Sequence, residues 1–225
     1  ANAGSNQTVA SASGFNASGS TGFKESNYNI STVEASNKYT ITPASLTINI
    51  DGNRIYGDTN DTSDYNYFAA RGLKTWDQTK FNNVGWDDLT VNNTSDVLDD
   101  VNSYTGKLSL DATSKNTVST GLTNNYNITY TDSFAINKAD LTYVAKGTRV
   151  YGEANSTTGK DYSFTFDGLK NGQTIDGDKL TVTNNTSIQA NAGSNQTAAS
   201  ASGFNASGST GFKESNYNIS TVEAS

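Results

Sequence analysis

The sequence contains no cysteine, no histidine and no methionine, and it has a single proline. Without cysteine or histidine it lacks the usual ligands of zinc, haem and iron–sulfur centres, and it has no thiol nucleophile. The most common general acid–base side chain is missing as well. We therefore expect a protein that is not an enzyme and that carries no cofactor.

Positive charge and long apolar runs are also scarce. The chain has 15 Lys and Arg residues against 22 Asp and Glu residues, a net charge of −7. This balance argues against nucleic acid and anionic membrane surfaces as partners, because both attract clustered Lys and Arg. No run approaches the about 20 apolar residues of a spanning helix, so membrane insertion is not expected.

Only 33% of the residues are hydrophobic, a value that is compatible with disorder. Aromatic residues make up 10% of the chain, however, and they recur at matched positions. Many short stretches alternate apolar and polar residues between turn signals. These features favour mainly β modules with thin cores.

A nearly perfect duplication is the clearest feature of the sequence. Residues 190–225 repeat residues 1–36 with one difference, Val9 against Ala198. The offset between Ala1 and Ala190 is 189 residues, which we interpret as the period of a tandem array.

A second, more divergent repeat lies inside this period. The matched pairs are ASLT at 44–47 with ADLT at 139–142, YGD at 56–58 with YGE at 151–153, GLK at 72–74 with GLK at 168–170, and LTV at 89–91 with LTV at 180–182. We therefore divide the chain into the end of a preceding module (1–42), a complete module that we call repeat A (43–137), and repeat B (138–225), which lacks its closing strand.

The seams between these segments are short. Residues 38–50 and 133–144 alternate apolar and polar positions, so the last strand of one module should pass almost directly into the next. About four residues between strands are too few to fold one module back on another. The sequence thus predicts an extended, end-to-end array.

Other local predictions are less regular. Strands are expected at 27–33, 65–70, 107–110 and 126–130, and a turn that opens a short helix at 72–78. Val97, Leu98 and Val101 have helical spacing, which indicates a helical turn within 97–104.

The ordered motifs resemble the MBG/YDG family of bacterial surface-protein modules. They are ADLT at 139–142, RVYGE at 149–153, the strand at 162–166, GLKNGQT at 168–174 and NYNI at 216–219. The resemblance covers nearly the whole chain. Repeat B fits better than repeat A, where Trp76 and Asp77 interrupt the second turn. The resemblance implies small β-grasp-like modules, with an Ig-like sandwich as the alternative, in secreted adhesins and biofilm-matrix proteins.

Acidic and aromatic residues supply the weak site candidates. Asp58, Asp61 and Asp64 are spaced so that carboxylates could bind calcium, although a solvated turn is the simpler interpretation. The acidic pairs at 99–100 and 176–178 are interpreted as solubilising rather than catalytic. Trp76 and Trp86 are the ligand candidates, a sugar-stacking patch with Phe81 and Tyr65, and core packing is the competing interpretation.

The Tyr-Gly-acid motifs, Tyr56-Gly57-Asp58 and Tyr151-Gly152-Glu153, are interpreted as structural turns. The tyrosine would cover one end of a core, and the glycine would adopt a backbone conformation closed to other residues. The acid would hydrogen-bond the turn.

These observations predict the stalk or spacer of an extracellular adhesin or matrix fibre on the bacterial cell surface. Its partners would be neighbouring repeats and, through the parent protein, a glycan or host surface. The alternative is a binding module that uses the repeat A aromatics. Because repeat B lacks its closing strand, we also expect head-to-tail self-association by strand donation.

Overall fold

The computed structural model describes residues 2–8, 22–31, 38–65, 67–193, 200–207 and 211–222. Within them the protein is mainly β, with several small sheets. The strands are β1 (Gly4–Thr8), β2 (Lys38–Ile41), β3 (Ala44–Ile55), β4 (Tyr67–Arg71), β5 (Val91–Asn93), β6 (Asn102–Tyr104), β7 (Leu108–Leu110), β8 (Tyr126–Asn137), β9 (Ala139–Gly147), β10 (Tyr162–Asp167), β11 (Thr181–Thr183), β12 (Ser200–Ser202) and β13 (Tyr217–Thr221).

Helices are short. The α-helices are α1 (Gln78–Asn82) and α2 (Ala112–Gly121), and single 3₁₀ turns lie at Glu25–Asn27, Thr62–Asp64, Thr75–Asp77, Trp86–Asp88, Gly159–Asp161, Gly177–Lys179, Phe204–Ser207 and Glu214–Asn216. In the part of the chain that the structure describes, no helix is both long enough and apolar enough to span a membrane.

Two sheets share the same order of sequence-matched strands. One has the order β4-β3-β8-β6 and the other the order β10-β9-β13. In the second, β9 pairs antiparallel with β10 and parallel with β13. Leu46 on β3 and Leu141 on β9, matched by the internal repeat, both lie on the strand between the first and third members of their sheets.

The described residues divide into two compact units. The first comprises the described residues of Ala1–Asn49, Phe68–Thr90 and Leu110–Thr131, and the second those of Ile50–Tyr67, Val91–Ser109 and Asp132–Ser225. Buried hydrophobic side chains of the first unit are Leu46, Ile48, Phe81, Val84, Leu110, Val118, Leu122 and Tyr126. Buried hydrophobic side chains of the second are Ile50, Tyr56, Tyr65, Val91, Leu108, Phe134, Ile136, Ala139, Leu141, Tyr143, Leu180, Val182, Phe204, Phe212 and Tyr217.

The seams agree with the sequence prediction. Two residues separate β2 from β3, and Lys138 alone separates β8 from β9. Alternate residues of β3 are buried, namely Leu46, Ile48 and Ile50, as the period of two requires.

Two local predictions were wrong, and one helix was not predicted. Residues 97–101 form a turn and bend, and residues 102–104 form a strand rather than a helical turn, because β6 pairs with β8. The strand expected at 27–33 is absent from its described part, residues 27–31. Helix α2 was missed because Val118 is the only large apolar residue within it, although Asp111 caps its start by accepting a hydrogen bond from the Ser114 N–H at 2.7 Å.

Candidate functional site at the junction between repeats

The Tyr56 turn, residues Tyr56-Gly57-Asp58, comes directly after strand β3. The Asp58 N–H donates to the Ile55 carbonyl at 3.2 Å, which closes the turn. Gly57 has φ +81°, in the left-handed region that a residue with a Cβ enters at a cost. Arg54 holds the turn from inside, because its guanidinium donates to the carbonyls of Ile55 and Asp96.

Arg54 is itself almost fully buried, with 3% of its surface exposed. Its guanidinium lies 6.0 Å from the centre of the Phe134 ring. Burial lowers the pKa of Arg54, and nearby carboxylates, Asp99 and Asp58 foremost, oppose that shift. The acidic side chains around the Tyr56 turn therefore compensate for a buried cation.

The ring of Tyr56 is seated against repeat B. It meets the Tyr217 ring edge-on, with 5.5 Å between the centroids. Its hydroxyl accepts a hydrogen bond from the Gln173 amide at 2.9 Å. Only 2% of Tyr56 is exposed, so this contact removes a large aromatic side chain from water.

The rest of the Tyr56 turn contacts the Lys170 loop, residues 168–174. The Asp58 carboxylate pairs with the Lys170 ammonium at 2.8 Å, and the Asn171 amide donates to the Gly57 carbonyl at 3.3 Å. A Cβ on Gly57 would lie 2.4 Å from the Cβ of Lys170. Gly57 is therefore required both by its backbone angle and by the closeness of the Lys170 loop.

The Lys170 loop is pre-formed by a buried tyrosine. The Tyr217 hydroxyl accepts from the Lys170 N–H at 3.1 Å and donates to the Gln173 side-chain oxygen at 2.5 Å. The Gln173 amide also donates to the Gly211 carbonyl at 2.9 Å. Burial raises the pKa of Tyr217, so the hydroxyl keeps its proton and remains a donor.

A second contact accompanies the Tyr56 turn. The Asn216 side-chain oxygen accepts from the Val101 N–H at 2.9 Å, and its amide donates to the Asp100 carboxylate at 3.0 Å. Lys213 pairs with the same carboxylate at 2.5 Å. These hydrogen bonds, from Asn216 first and Lys213 second, lower the pKa of Asp100.

This second contact recurs in the first compact unit. Asn125, which the repeat matches to Asn216, accepts from the Ala3 N–H at 2.7 Å and donates to the Asn2 side chain at 3.1 Å. Residues 2–3 thus form the same kind of hydrogen bonds with Asn125 that residues 100–101 form with Asn216. This pair of hydrogen bonds is therefore present at two places in the chain.

The Lys74 loop, residues 72–78, repeats the internal hydrogen bonding of the Lys170 loop. The Tyr126 hydroxyl accepts from the Lys74 N–H at 3.1 Å and donates to Asp77 at 2.7 Å. Asp77 stands where repeat B has Gln173, and it also pairs with Lys80 at 2.9 Å. Hydrogen bonds from Lys80 and Tyr126 lower the pKa of Asp77, which is therefore an anion at neutral pH.

The Tyr151 turn, residues Tyr151-Gly152-Glu153, has the backbone of the Tyr56 turn, but it lacks the contacts that the Tyr56 turn makes with the Lys170 loop. Gly152 has φ +87°, and nothing lies within 4 Å of a Cβ placed on it. Tyr151 is 61% exposed, so its ring does not cover a core as the sequence predicted. Arg149 holds this turn as Arg54 holds the other, by donating to the Glu153 and Ser187 carbonyls.

The acidic candidates are not gathered into a metal cluster. Asp58 pairs with Lys170, and the Asp64 carboxylate accepts from the Asp61 N–H at 3.2 Å. Among the residues that the structure describes, no group of three or more acidic side chains could hold a metal ion. The acidic pairs of the sequence have structural contacts too: Asp99 pairs with Lys107 at 2.8 Å and Asp176 with Lys179 at 3.6 Å.

The two tryptophans have different environments. Trp86 donates its indole N–H to the Phe81 carbonyl at 2.8 Å and packs against the rings of Phe68 and Phe81. Trp76 is 78% exposed, so core packing does not account for it. It stands in the Lys74 loop, at the position of Gly172 in repeat B.

Sequence reasoning singled out the Tyr-Gly-acid turns but missed their partners. Lys170, Gln173 and Asn216 fall within sequence motifs, and nothing in those motifs indicates their contacts with the Tyr56 turn. One signal was available, because Arg stands two residues before each Tyr-Gly pair, at Arg54 and Arg149. Which loop each turn contacts depends on tertiary structure.

Comparison of the chain with protein-family models, with curated proteins and with solved structures finds no match.

Proposed function

We propose that the chain is a structural repeat region, the stalk or spacer of a bacterial adhesin or biofilm-matrix fibre, that acts outside the cell and performs no chemistry. Its repeats would be MBG/YDG-type modules. The observation that carries the proposal is the junction itself. The Tyr56 turn has a built receptor on repeat B, and the Asn216 part of that junction recurs at Asn125.

The strand pairing favours the β-grasp-like form of this proposal. Strand β13 pairs in parallel with β9, with Tyr217 opposite Ala139 and Ile219 opposite Leu141. An Ig-like sandwich is built from antiparallel sheets. A parallel neighbour for the first strand of repeat B therefore supports the β-grasp alternative.

A spacer has to hold successive modules at a fixed distance and orientation, and the junction contacts suit that task. The buried Tyr56–Tyr217–Gln173 group provides apolar area and directional hydrogen bonds. The half-exposed Asp58–Lys170 pair adds orientation and at most about 1 kcal/mol. Each of these side chains is engaged in a contact with the neighbouring repeat.

The test is the length of proteins that carry one, two and three copies of the 189-residue period, imaged by electron microscopy. We expect a constant increase in length for each copy. Gly57→Ala in every copy should broaden the length distribution, whereas Asp178→Asn, on an exposed turn, should leave it unchanged. Particles whose longest dimension does not grow with copy number would contradict the proposal.

Trp76 supports a second candidate, a glycan-binding or host-protein-binding module. An indole that is 78% exposed beside Asp77 and Lys74 is a suitable platform for sugar stacking. A glycan array probed with the intact chain tests this candidate. Binding that disappears in Trp76→Ala but persists in Lys24→Ala would support it, and the absence of any binding would reject its glycan-binding form.

A further inference from the structure

The Tyr151 turn presents an unused copy of a surface that is buried elsewhere in the same protein. Tyr56 is 2% exposed, whereas Tyr151 is 61% exposed and the preceding Val150 is 72% exposed. In the described part of the chain, the Glu153 carboxylate forms no ion pair. The turn thus has the side chains for docking and, among the described residues, no partner.

The Lys74 loop repeats the hydrogen bonding of the receptor, with Asp77 paired to Lys80 where Gln173 meets Tyr56. Its Tyr126 hydroxyl makes the same two hydrogen bonds as Tyr217 makes in the Lys170 loop. The Lys74 ammonium has no ion-pair partner among the described residues. Next to it, the exposed indole of Trp76 offers apolar surface.

We propose that the Tyr151 turn of one molecule docks onto the Lys74 loop of a second copy of this chain, so that molecules associate head to tail. The contact would reproduce in trans the one that the Tyr56 turn makes with the Lys170 loop. It differs from strand donation, because it uses a turn and a loop that are already folded. It also stands apart from the proposed stalk function, since it requires only the two surfaces described.

The charges of the two surfaces are complementary. Asp58 pairs with Lys170 at 2.8 Å, and the matched residues are Glu153 and Lys74. The carboxylate of Glu153 has one more methylene than that of Asp58, so it has the reach to meet the Lys74 ammonium.

The hydrogen bond at the tyrosine would reverse its direction. Gln173 donates to the Tyr56 hydroxyl, but Asp77, its counterpart, is an anion and can only accept. The Tyr151 hydroxyl would therefore donate to the Asp77 carboxylate. That carboxylate is already buried and paired with Lys80, so docking requires the Lys80 side chain to move aside. A carboxylate oxygen accepts more than one hydrogen bond, so the existing bond from Tyr126 can remain.

The occupant is a second copy because this chain already binds the same turn on the same kind of loop. Both surfaces are on one molecule, and they differ from each other, so the contact is heterologous. A heterologous contact that does not close into a ring continues as an open chain of molecules. We therefore expect association that grows with concentration rather than a closed dimer.

Charge reversal in trans tests the pairing. Sedimentation velocity of the wild-type chain from about 10 μM to about 1 mM should show a rising weight-average sedimentation coefficient. Glu153→Lys and Lys74→Glu should each weaken self-association by at least about tenfold, because each brings like charges together. An equimolar mixture of the two variants should associate again. In that mixture the altered turn of one variant meets the altered loop of the other, and the unaltered turn and loop pair as in the wild type.

Gly152→Ala gives an independent arm without a change of charge. By analogy with Gly57 and Lys170, a Cβ at residue 152 would collide with the Lys74 side chain of the second copy. It should abolish association while circular dichroism shows a folded chain. Asp178→Lys, a charge reversal on an exposed turn, is the matched control and should associate like the wild type.

Three results would overturn the proposal. The first is a wild-type chain that stays monomeric at about 1 mM. The second is association that survives both single charge reversals, which would indicate strand donation. The third is an equimolar mixture of Glu153→Lys and Lys74→Glu that associates no better than either variant alone.

Discussion

At the scale of single residues, the two Tyr-Gly-acid turns show two separate reasons for a glycine. One is the left-handed backbone, and the other is the lack of space for a Cβ. Gly57 and Gly152 have nearly the same φ, +81° and +87°. A Cβ would meet the Lys170 side chain at Gly57 and open space at Gly152. A comparison of the two positions therefore measures what the junction contact adds to the cost of a left-handed backbone.

We predict that Gly152→Ala lowers the free energy of unfolding of the second compact unit by about 1 kcal/mol, the cost of a left-handed residue with a Cβ. Gly57→Ala should cost at least about 1 kcal/mol more, because the new methyl collides with Lys170. Chemical denaturation monitored by tyrosine fluorescence would measure both. Equal losses would mean that the Tyr56 turn is not packed against the Lys170 loop.

The identical segments at 22–31 and 211–220 supply a second matched pair. Tyr217→Phe should lower the free energy of unfolding by about 1–3 kcal/mol, since it leaves the Gln173 oxygen and the Lys170 N–H without their buried partner. Tyr28→Phe, in the same local sequence but 62% exposed, should change it by less than about 0.5 kcal/mol. Similar losses for the two variants would contradict the buried position of Tyr217.

At the scale of elements, the loop between β5 and β6 provides the acidic side of the junction. Asp100 accepts from Asn216 and pairs with Lys213, and both contacts lower its pKa. A carboxyl with a lowered pKa in the folded state stabilises the protein above its unfolded pKa. That contribution is lost as the pH falls through the folded value.

We therefore predict that the free energy of unfolding decreases as the pH falls below about 4, the ordinary pKa of an aspartate. Asp100→Asn should reduce this dependence, because the amide cannot ionise, and it should destabilise the protein near neutral pH. Urea denaturation at a series of pH values would measure the slope. A variant with the wild-type slope would show that Asp100 does not contribute to the acid sensitivity.

At the scale of the whole molecule, the distribution of acidic side chains bears on calcium. Asp58 is engaged by Lys170, and the Asp64 carboxylate caps the N–H of Asp61. An ion would have to displace an existing partner before binding. The arrangement accounts for these carboxylates without a metal.

We predict that calcium at about 1 mM leaves the melting temperature of the chain unchanged, because a ligand that does not bind the native state adds no stability. Magnesium at the same concentration controls for ionic strength. A calcium-specific rise that Asp61→Asn removes would restore the calcium hypothesis for this turn.

Much of the local structure could be predicted from the sequence. Alternation predicted the buried face of β3, and the repeats predicted the matched positions of Leu46 and Leu141. Helix α2 escaped because its residues have weak helix propensity and only Val118 marks a buried face. The junction could not be predicted because its partners are more than 110 residues apart, as in the pair of Tyr56 and Gln173.

The duplicated segment separates features that local sequence specifies from those that need a distant partner. Its two copies form the same 3₁₀ turn, Glu25–Asn27 and Glu214–Asn216. The phenylalanine stacks on the tyrosine in both, at 5.1 Å for Tyr28 and 5.2 Å for Tyr217. These features depend on residues within a few positions of one another, so the same sequence produces them twice.

Beyond this 3₁₀ turn the two copies differ, and the difference comes from their tertiary neighbours. From Tyr217 the chain forms β13, which pairs with β9, whereas after Tyr28 the described residues 29–31 belong to no strand. A strand needs the backbone N–H and C=O groups of a neighbour, and a buried tyrosine needs a core to cover it. One copy of the sequence has both and the other has neither, so Tyr217 is 2% exposed and Tyr28 is 62% exposed.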